Sequence, residues 1–388
     1  MNSEQLIAGV MSGTSLDGID VALVHFKGSS LEDFSWNLMA FEVIPYETYR
    51  QTLLFEVMQE GTPEGFCRIN KDLGEWMSEA VFKVCESAGL SPRDLTAIGC
   101  HGHTMWHIPP ESGMRGSTLQ LGDPATVAEL TGVTVVSDFR SRDVAAGGHG
   151  APLVAWPDQL LYSAPNKNRV LHNIGGMSNV TWLPQSGSTE PPVAFDTGPG
   201  MVLIDEVARR ATNNELPFDV GGEMAQRGRI DEGLLTILLD DDYLRLEPPK
   251  TTGRERYGRT YVDRLTDNIV PNSKDLAWHD LIATLTAFTA RSIVIAYRMW
   301  VVPLGVDEIF LMGGGSKNRV LTDTLRKELA PIPVNDGGEL GVDPDAREAL
   351  AFAVLTWAHL HGLPANVPYA TGACGSRILG SLTPGVSS

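Results

Sequence analysis

The sequence predicts an α/β protein with two domains. Its 388 residues are more than one hydrophobic core usually organises, and strand-like and helix-like segments alternate along the chain. The first two apolar segments, residues 6–11 and 19–26, are joined only by a short polar loop. They therefore predict a β-hairpin, and a Rossmann domain, which would open with a βαβ unit, is not the first choice.

The other elements are predicted from short β-branched runs and from the helical spacing of apolar residues. The predicted strands are residues 36–44, 95–100, 134–139, 169–176, 193–200 and 307–312, those at 169–176 and 193–200 each ending in a glycine-rich loop. The predicted helices are residues 46–60, 68–89, 201–212, 277–300, 319–330 and 343–362. The segments HGHT (101–104) and EPPKTTGRERYG (247–258) are predicted to be loops.

The composition excludes some classes of partner. The net charge of −18, from 48 acidic and 30 basic residues, argues against non-specific nucleic-acid binding and against docking on anionic lipid. Four scattered cysteines, Cys67, Cys85, Cys100 and Cys374, are typical of free thiols in a reducing compartment. The sequence shows no signal-peptide pattern and no long apolar run, so we expect a cytoplasmic protein without a membrane span.

The loop SGTSLDG (12–18) carries more polar groups than a turn requires. Its backbone amides and the hydroxyls of Thr14 and Ser15 could hold phosphate oxygens. Asp17 or Asp20 could hold water on Mg²⁺, which prefers oxygen ligands and keeps several waters. An ordinary hairpin turn with Asp and Ser chemistry is the alternative interpretation of this loop.

Two later loops also carry chemistry. In FDTGPG (195–200), Asp196 follows a strand and could be a general base, a metal ligand or a cap of the next helix. In MGGGSKN (312–318), three glycines would let the backbone approach a flat ring, although a simple turn before a helix is possible. The lysine of this loop lacks the spacing of a P-loop.

The order of these three loops resembles that in the sugar kinase, Hsp70 and actin superfamily. In detail the chain resembles the anhydro-N-acetylmuramic acid kinase family over essentially its whole length. The stretches that carry this resemblance are GVMSGTSLDGIDVALV (9–24), GCHGHT (99–104), QLGDPA (120–125), DFRSRDVAAGGHGAPL (138–153), HNIGGMSNVT (172–181), FDTGPG (195–200), KTTGRE (250–255), MGGGSKN (312–318) and AREALAFA (346–353). Two positions depart from the family pattern, with His103 in place of Gln and Met201 in place of Asn.

The resemblance implies a two-domain actin-like ATPase fold with ribonuclease H-like cores and an active-site cleft between the domains. The implied domains are residues 1–132 with 364–388, and residues 133–363. The implied reaction opens the 1,6-anhydro ring of 1,6-anhydro-N-acetylmuramic acid with water and phosphorylates O6 with ATP. Its product is N-acetylmuramic acid 6-phosphate, within peptidoglycan recycling. Another sugar kinase or a nucleotide switch of the same superfamily is the alternative.

The resemblance also implies roles for individual residues. Asp196 is the expected base that activates water, and Glu348 is expected to help place the water and the sugar. The residues expected to contact ATP or its phosphates are Ser12, Gly13, Thr14, Ser15, Leu16, Asp17, Gly18, Ile19, Asp20, Thr197, Gly198, Gly313, Gly314, Gly315 and Asn318. Those expected to contact the sugar are Arg140, which would pair with its lactyl carboxylate, and Asn173, Gly175, His101 and Thr104.

The expected cofactors and partners follow from the same resemblance. ATP and Mg²⁺ would be used, with Asp17 and Asp20 near the metal. The partners would be the sugar, ATP and a second copy of the chain in a homodimer. A zinc hydrolase built on Cys100, His101, His103 and His107 is a further alternative, but a second Cys/His pair at a convincing spacing is missing.

Overall fold

Each half of the chain is built around one β-sheet in this computed structural model, which describes residues 4–13, 16–110, 114–269 and 276–386. Thr14 and Ser15 of the predicted phosphate loop lie outside the described residues. The chain divides into unit 1, Met1–Pro157 with Asp345–Ser388, and unit 2, Asp158–Pro344.

The bounds of the elements are as follows. The strands are β1 Glu4–Ser12, β2 Gly18–Lys27, β3 Ser35–Pro45, β4 Ala97–Ile108, β5 Ser117–Leu121, β6 Val135–Ser137, β7 Arg169–Ile174, β8 Met177–Leu183, β9 Val193–Pro199, β10 Glu308–Met312, β11 Val334–Asp336 and β12 Ser381–Thr383. The helices are α1 Thr48–Glu60, α2 Pro63–Ser87, α3 Pro124–Thr131, α4 Ser141–Ala145, α5 Ala155–Tyr162, α6 Val202–Ala211, α7 Glu223–Arg227, α8 Glu232–Leu239, α9 Arg259–Ile269, α10 Leu276–Ala296, α11 Arg319–Glu328, α12 Arg347–Leu360 and α13 Pro368–Thr371.

The two sheets share one topology. In unit 1 the strand order is β12-β6-β4-β1-β2-β3, with β5 paired to β4; in unit 2 it is β11-β10-β7-β8-β9. In both sheets the first three strands of the unit are antiparallel, and two later strands add in parallel beside the first. This arrangement confirms the predicted α/β class with two ribonuclease H-like cores.

Pairing and packing explain where unit 1 ends. Strand β6 pairs with β4 and β12 in the sheet of unit 1, so residues after 132 belong there. Helix α12 packs on β1 at Gly9, where a Cβ atom would overlap the backbone of Ala349, and this close approach requires glycine. The units therefore differ from the predicted domain bounds, because residues 133–157 and 345–363 lie in unit 1.

The core of unit 2 contains a long apolar helix. Trp278–Leu304, which includes most of α10, is long and apolar enough to cross a membrane by length and composition, contrary to the expectation of no such segment. However, 83% of its most apolar window is buried, and its side chains Leu285, Phe288 and Ile293 lie in the core with residues of α6 and α8. This burial is typical of a core helix.

Two predicted loops continue as strand. The HGHT segment, predicted to be a loop, lies inside β4, because residues 103–108 pair with β5 as a hairpin. The Asp196–Gly198 segment lies inside β9 and pairs with β8, a strand that the sequence analysis does not predict. The helices α7 and α8 are also unpredicted, because Gly and Pro around them obscure the helical spacing.

Candidate active site

The loop between β1 and β2 begins at Ser12, whose hydroxyl lies inside unit 1. Ser12 is 1% exposed, and its Oγ hydrogen-bonds with Tyr46 Oη at 2.8 Å and with His103 Nδ1 at 2.9 Å. Burial lowers the pKa of His103 to about 4, so its ring is neutral at pH 7. The hydroxyl of Ser12 thus anchors the start of the loop, which leaves only its backbone to face a phosphate.

Leu16 of this loop is held through its backbone. Leu16 has a left-handed φ of 60°, its N donates to Gly13 O at 3.2 Å, and its carbonyl accepts from Gln51 Nε2 at 2.8 Å. Gly18 is the first residue of β2. The side chain of Ile19 is 2% exposed in the core of unit 1, so it cannot itself contact a phosphate.

Asp20, on β2, is a partly buried carboxylate surrounded by negative charge. Burial raises its pKa to about 7, and the charges of Asp17, Glu348 and Asp345 add to that shift. No hydrogen bond from a described residue reaches its oxygens. A divalent cation would offset this repulsion. No group of three or more acidic or His/Cys side chains among the described residues is arranged to ligate a metal directly, so Asp20 fits Mg²⁺ only as a carboxylate that binds the waters of the ion.

Arg140, just before α4, is positioned by a neutral histidine. Its Nε donates to His101 Nε2 at 2.9 Å, and its Nη1 donates to Gly150 O at 2.7 Å. The other ring nitrogen of His101, Nδ1, lies 3.0 Å from Gly102 O, so the proton sits on Nδ1 and Nε2 accepts. Burial lowers the pKa of His101 well below its ordinary value, which keeps the ring neutral.

The positive charge of Arg140 has no ion-pair partner among the described residues. Burial lowers its pKa to about 10, which still leaves it protonated at pH 7. The charges of Glu348 and Asp143 favour its protonated form without contacting it. Nη2 makes no hydrogen bond to a described residue, so this guanidinium has a donor and an uncompensated charge for an anion.

A buried carboxylate that the sequence analysis does not single out fixes the neighbouring loop. Asp143 is 0% exposed, and its Oδ2 accepts from Gly150 N at 2.8 Å. Its Oδ1 accepts from Asn366 Nδ2 at 2.7 Å and from Thr371 Oγ1 at 2.8 Å. Since Gly150 O also accepts from Arg140, Asp143 ties the C-terminal segment of unit 1 to the arginine.

The other two predicted residues of unit 1 are placed as follows. Glu348 lies in the first turn of α12, and its charge influences the pKa values of both Asp20 and Arg140. It makes no hydrogen bond to a described residue. Thr104, on β4, accepts from Gln120 Nε2 at 3.3 Å. Unit 1 therefore gathers Asp20, Arg140 and Glu348 into one charged neighbourhood.

In unit 2, the carboxylate of Asp196 is held on one side. Its Oδ2 accepts from Thr251 Oγ1 at 2.7 Å and from Thr252 N at 2.9 Å, whereas its Oδ1 has no hydrogen-bond partner among the described residues. Burial raises the pKa of Asp196 to about 6, although the Thr251 and Thr252 hydrogen bonds act in the opposite direction. A carboxylate with one free oxygen and a pKa near neutrality can accept a proton from water.

The side chain of Thr197, the residue after Asp196, has a structural role. Ser178 pairs with Gly198 and Asn179 pairs with Asp196, so Thr197 is the extra residue of a β-bulge. Thr197 is 0% exposed, and its Oγ1 donates to Ser178 Oγ at 2.8 Å. The Thr197 side chain, of a residue expected to contact ATP, is thus used inside unit 2, which leaves only the backbone of Thr197 for a phosphate.

Asn173 and the three-glycine loop come together at the ends of neighbouring parallel strands. Asn173 pairs with Met312, the last residue of β10. Gly313 has a φ of 75°, and a Cβ atom there would overlap the side chain of Asn173. A Cβ at Gly315 would overlap Ile174, whereas one at Gly314 would meet open space. Gly175 adjoins this strand end, and its N donates to Met177 O at 3.1 Å.

Asn318 caps the helix behind the glycine loop. Its Oδ1 accepts from Leu321 N at 3.1 Å, as a helix N-cap does, and the residue is 2% exposed. Its Nδ2 is buried without a partner among the described residues. Met201, at the family's asparagine position, is buried in the core at the start of α6.

The histidines and cysteines do not form a metal centre in the described ranges. No group of three or more His, Cys, Asp and Glu there is arranged to hold a metal ion. His101, His103 and His107 instead bond to Arg140, Ser12 and Thr118 respectively. The four cysteines are free, as predicted.

Comparison with known proteins gives consistent matches. The family model described as "Anhydro-N-acetylmuramic acid kinase" matches residues 5–385. The protein of that name from Caldanaerobacter subterraneus subsp. tengcongensis is 45% identical over 387 residues, covering 98% of this chain and 97% of its own. The one from Bacillus cereus is 42% identical over 385 residues, covering 97% of this chain and 98% of its own.

A solved structure matches more distantly. It is component A of the (R)-2-hydroxyglutaryl-CoA dehydratase of Acidaminococcus fermentans, 12% identical with a TM-score of 0.43. The match covers 91% of this chain and 97% of that one.

Proposed function

The chain belongs to the anhydro-N-acetylmuramic acid kinase family, and on that premise we propose that it converts 1,6-anhydro-N-acetylmuramic acid, water and ATP into N-acetylmuramic acid 6-phosphate and ADP. Water attacks the anomeric carbon, the bond from that carbon to O6 breaks, and O6 takes the γ-phosphoryl group. The proton of the water passes to a base. Family membership supports a sugar kinase of cell-wall recycling.

The observation that carries this proposal is the geometry of Asp196. Two donors hold Oδ2, while Oδ1 is without a partner among the described residues, and burial raises the pKa to about 6. Such a carboxylate is ionised at pH 7 yet basic enough to take a proton from an attacking water. Asp196 is therefore the proposed general base, acting through Oδ1.

Unit 1 supplies the proposed groups for the sugar. The unpaired charge of Arg140 and its free Nη2 suit the lactyl carboxylate, because a guanidinium binds a carboxylate through paired hydrogen bonds. Glu348, without a hydrogen bond in the described part of the chain, is proposed to orient the water and the sugar. Asn173, Gly175 and Thr104 are the other proposed sugar contacts. The resemblance implies that His101 also contacts the sugar, but both of its ring nitrogens are already bonded, so its proposed role is to position Arg140.

ATP is proposed to use backbone groups more than hydroxyls. The loop after Ser12 and the Thr197–Gly198 bulge offer amides to phosphates, and the glycine loop 313–315 offers an open backbone at Gly314 to the nucleoside. Asp20, with Asp17, is proposed to hold Mg²⁺ through water, which would neutralise charge on the phosphates. We also propose a homodimer in the cytoplasm.

The test follows a labelled oxygen. The protein is incubated with the anhydro sugar, ATP and Mg²⁺ in ¹⁸O-labelled water, and the mass of the product is measured at once by mass spectrometry. The measurement must be immediate because an anomeric hydroxyl exchanges its oxygen with water without the enzyme. We expect a product that carries one phosphate and one labelled oxygen, and no consumption of the sugar without ATP.

Two other outcomes would contradict the proposal. A phosphorylated sugar that lacks the label means transfer without hydrolysis, as in another sugar kinase. ATP hydrolysis that the sugar does not accelerate means a nucleotide switch. Omitting only the sugar from the same mixture provides the control for that second outcome.

A further inference from the structure

The KTTGRE segment has no role in the proposal above, yet its first three residues surround the proposed base. We call Lys250–Thr252 the KTT segment. Asp196 N donates to Lys250 O at 3.1 Å, so the segment lies beside β9 like an added strand. Thr251 Oγ1 and Thr252 N then reach the side chain of Asp196, both at the same oxygen.

The segment is itself pinned by a buried lysine. Lys250 is 7% exposed, and its Nζ donates to Tyr243 O at 3.1 Å and to Leu244 O at 3.2 Å. Its ammonium also lies over the ring of Tyr243, with Nζ 4.9 Å from the centroid. Tyr243 Oη donates in turn to Asp196 O at 2.9 Å. Lysine, tyrosine and aspartate thus form one closed set of contacts.

We propose that Thr251 is a positioning residue for the reaction: it binds Oδ2 of Asp196 so that Oδ1 alone receives the proton from water. A hydrogen bond from a neutral hydroxyl favours the ionised carboxylate over the protonated one. Without it, the carboxylate can rotate about its Cβ–Cγ bond and lose both the aim of Oδ1 and part of its ionisation. This inference rests on the proposed function, because it assumes that Asp196 is the base.

The charged groups that face Asp196 are few. Lys250 favours its ionised form, Glu255 opposes it, and Tyr243 remains a neutral phenol because burial raises its pKa far above the ordinary value. Desolvation, which disfavours the ionised form, is the largest influence on Asp196. Removing one favourable hydrogen bond from this balance therefore moves the pKa of Asp196 upward.

The experiment compares Thr251→Val, which has the same shape but no donor, with Thr251→Ser, which keeps the donor. Activity is measured as kcat/KM for the sugar from pH 5 to pH 9. For Thr251→Val we expect the apparent pKa on the acidic side of the kcat/KM profile to rise by about one unit, because the loss of a hydrogen bond to a charged group shifts a pKa by roughly that amount. We expect kcat to fall about tenfold at pH 7 while KM for ATP is unchanged, and Thr251→Ser to restore the wild-type profile.

Thr286→Val is the matched control. Thr286 is 1% exposed in unit 2, and among the described residues its hydroxyl donates to Ile282 O of its own helix and to no other group. This variant makes the same chemical change in the interior and should leave the pH profile where it was. Thr251→Ala, which removes the hydroxyl without placing a methyl group near Oδ2, replaces Thr251→Val if that variant does not fold.

Two results would overturn the inference. One is a pH profile of Thr251→Val, or of Thr251→Ala in its place, whose acidic side matches that of the wild-type protein. The other is a Thr251→Ser variant that is as impaired as Thr251→Val. Asp196→Asn separates this failure from failure of the proposed function. If Asp196→Asn is inactive and Thr251→Val has a normal profile, Asp196 is the base but Thr251 does not position it. If Asp196→Asn is active, the base is elsewhere, so both the inference and the proposed role of Asp196 fail, while the labelled-oxygen experiment decides separately whether the proposed reaction occurs.

Discussion

Two carboxylates, Asp20 in unit 1 and Asp196 in unit 2, both have raised pKa values but differ in the groups around them. Both are raised first by burial, to about 7 for Asp20 and about 6 for Asp196. Three neighbouring acids raise the pKa of Asp20 further, and no hydrogen bond from the described residues compensates. Asp196 instead accepts two hydrogen bonds at one oxygen.

The difference teaches which chemistry suits each group. A carboxylate among other negative charges gains most from a cation, so Asp20 suits a metal. In Asp196 one carboxylate oxygen is fixed by hydrogen bonds, and the other has no partner among the described residues. The fixed oxygen orients the group so that the other oxygen can accept a proton, and Asp196 therefore suits proton transfer. Substitutions at these two positions should therefore affect different kinetic quantities.

The largest effect is expected at Asp196. Asp196→Asn should lower kcat about a thousandfold, because the amide cannot take the proton, while the Mg²⁺ requirement of the residual activity stays the same. Steady-state kinetics over a Mg²⁺ titration measures both quantities. A variant with nearly normal kcat would show that the base is another group.

The same variant has a predicted effect on stability. The folded-state pKa of about 6 is above the ordinary value of 3.8, so ionisation of Asp196 opposes folding. The stability that the protonated group provides at low pH is lost as the pH rises from about 4 to about 6. Thermal melts should therefore show Asp196→Asn above the parent protein in Tm at pH 8 and level with it at pH 4.

An intermediate effect is expected at Asp20. Asp20→Asn should raise the Mg²⁺ concentration for half-maximal activity by about 10-fold to 100-fold, as for other outer-shell metal partners. At saturating Mg²⁺ most of kcat should return, in contrast to Asp196→Asn. If no Mg²⁺ concentration restores kcat, Asp20 takes part in the chemical step itself, and the proposed difference in role between Asp20 and Asp196 is wrong.

The smallest effect is expected at Arg140. Arg140→Lys keeps the positive charge but loses the planar guanidinium, whose paired N–H donors can bind both oxygens of a carboxylate. KM for the sugar should therefore rise about tenfold, while KM for ATP remains the same. Arg142, which lies exposed in α4 two residues after Arg140, offers the control variant Arg142→Lys. An equal rise in the KM values for the sugar and for ATP would show that Arg140 stabilises the fold of the site and does not bind the sugar.

The sequence predicts the pattern of strands and helices because apolar spacing reflects the two cores. It also indicates Asp196 and the glycine loop, since each lies at the end of a predicted strand, whereas Arg140 is indicated only by the family resemblance. It does not reveal that HGHT is strand, because the pairing with β5 is a tertiary feature. For the same reason, it does not show that the hydroxyls of Ser12 and Thr197 are used inside the units.

Asp143 and Thr251 escape sequence reasoning for a related reason. Asp143 bonds to residues more than two hundred positions away, and Thr251 is 55 positions from Asp196. An alternation of apolar and polar residues holds no information about such contacts. For Thr251 the sequence does offer one signal: the KTTGRE stretch carries part of the family resemblance, although the sequence alone gives this stretch no role.

The division of the chain has a consequence for its synthesis. Unit 1 needs both ends of the polypeptide, since β12 completes the sheet at β6 and α12 covers β1, whereas unit 2 is continuous from Asp158 to Pro344. A chain leaving the ribosome can therefore finish unit 2 while unit 1 still lacks its last helix and strand. The groups expected to bind the sugar, Arg140 and Glu348, are assembled only after translation reaches the final segment.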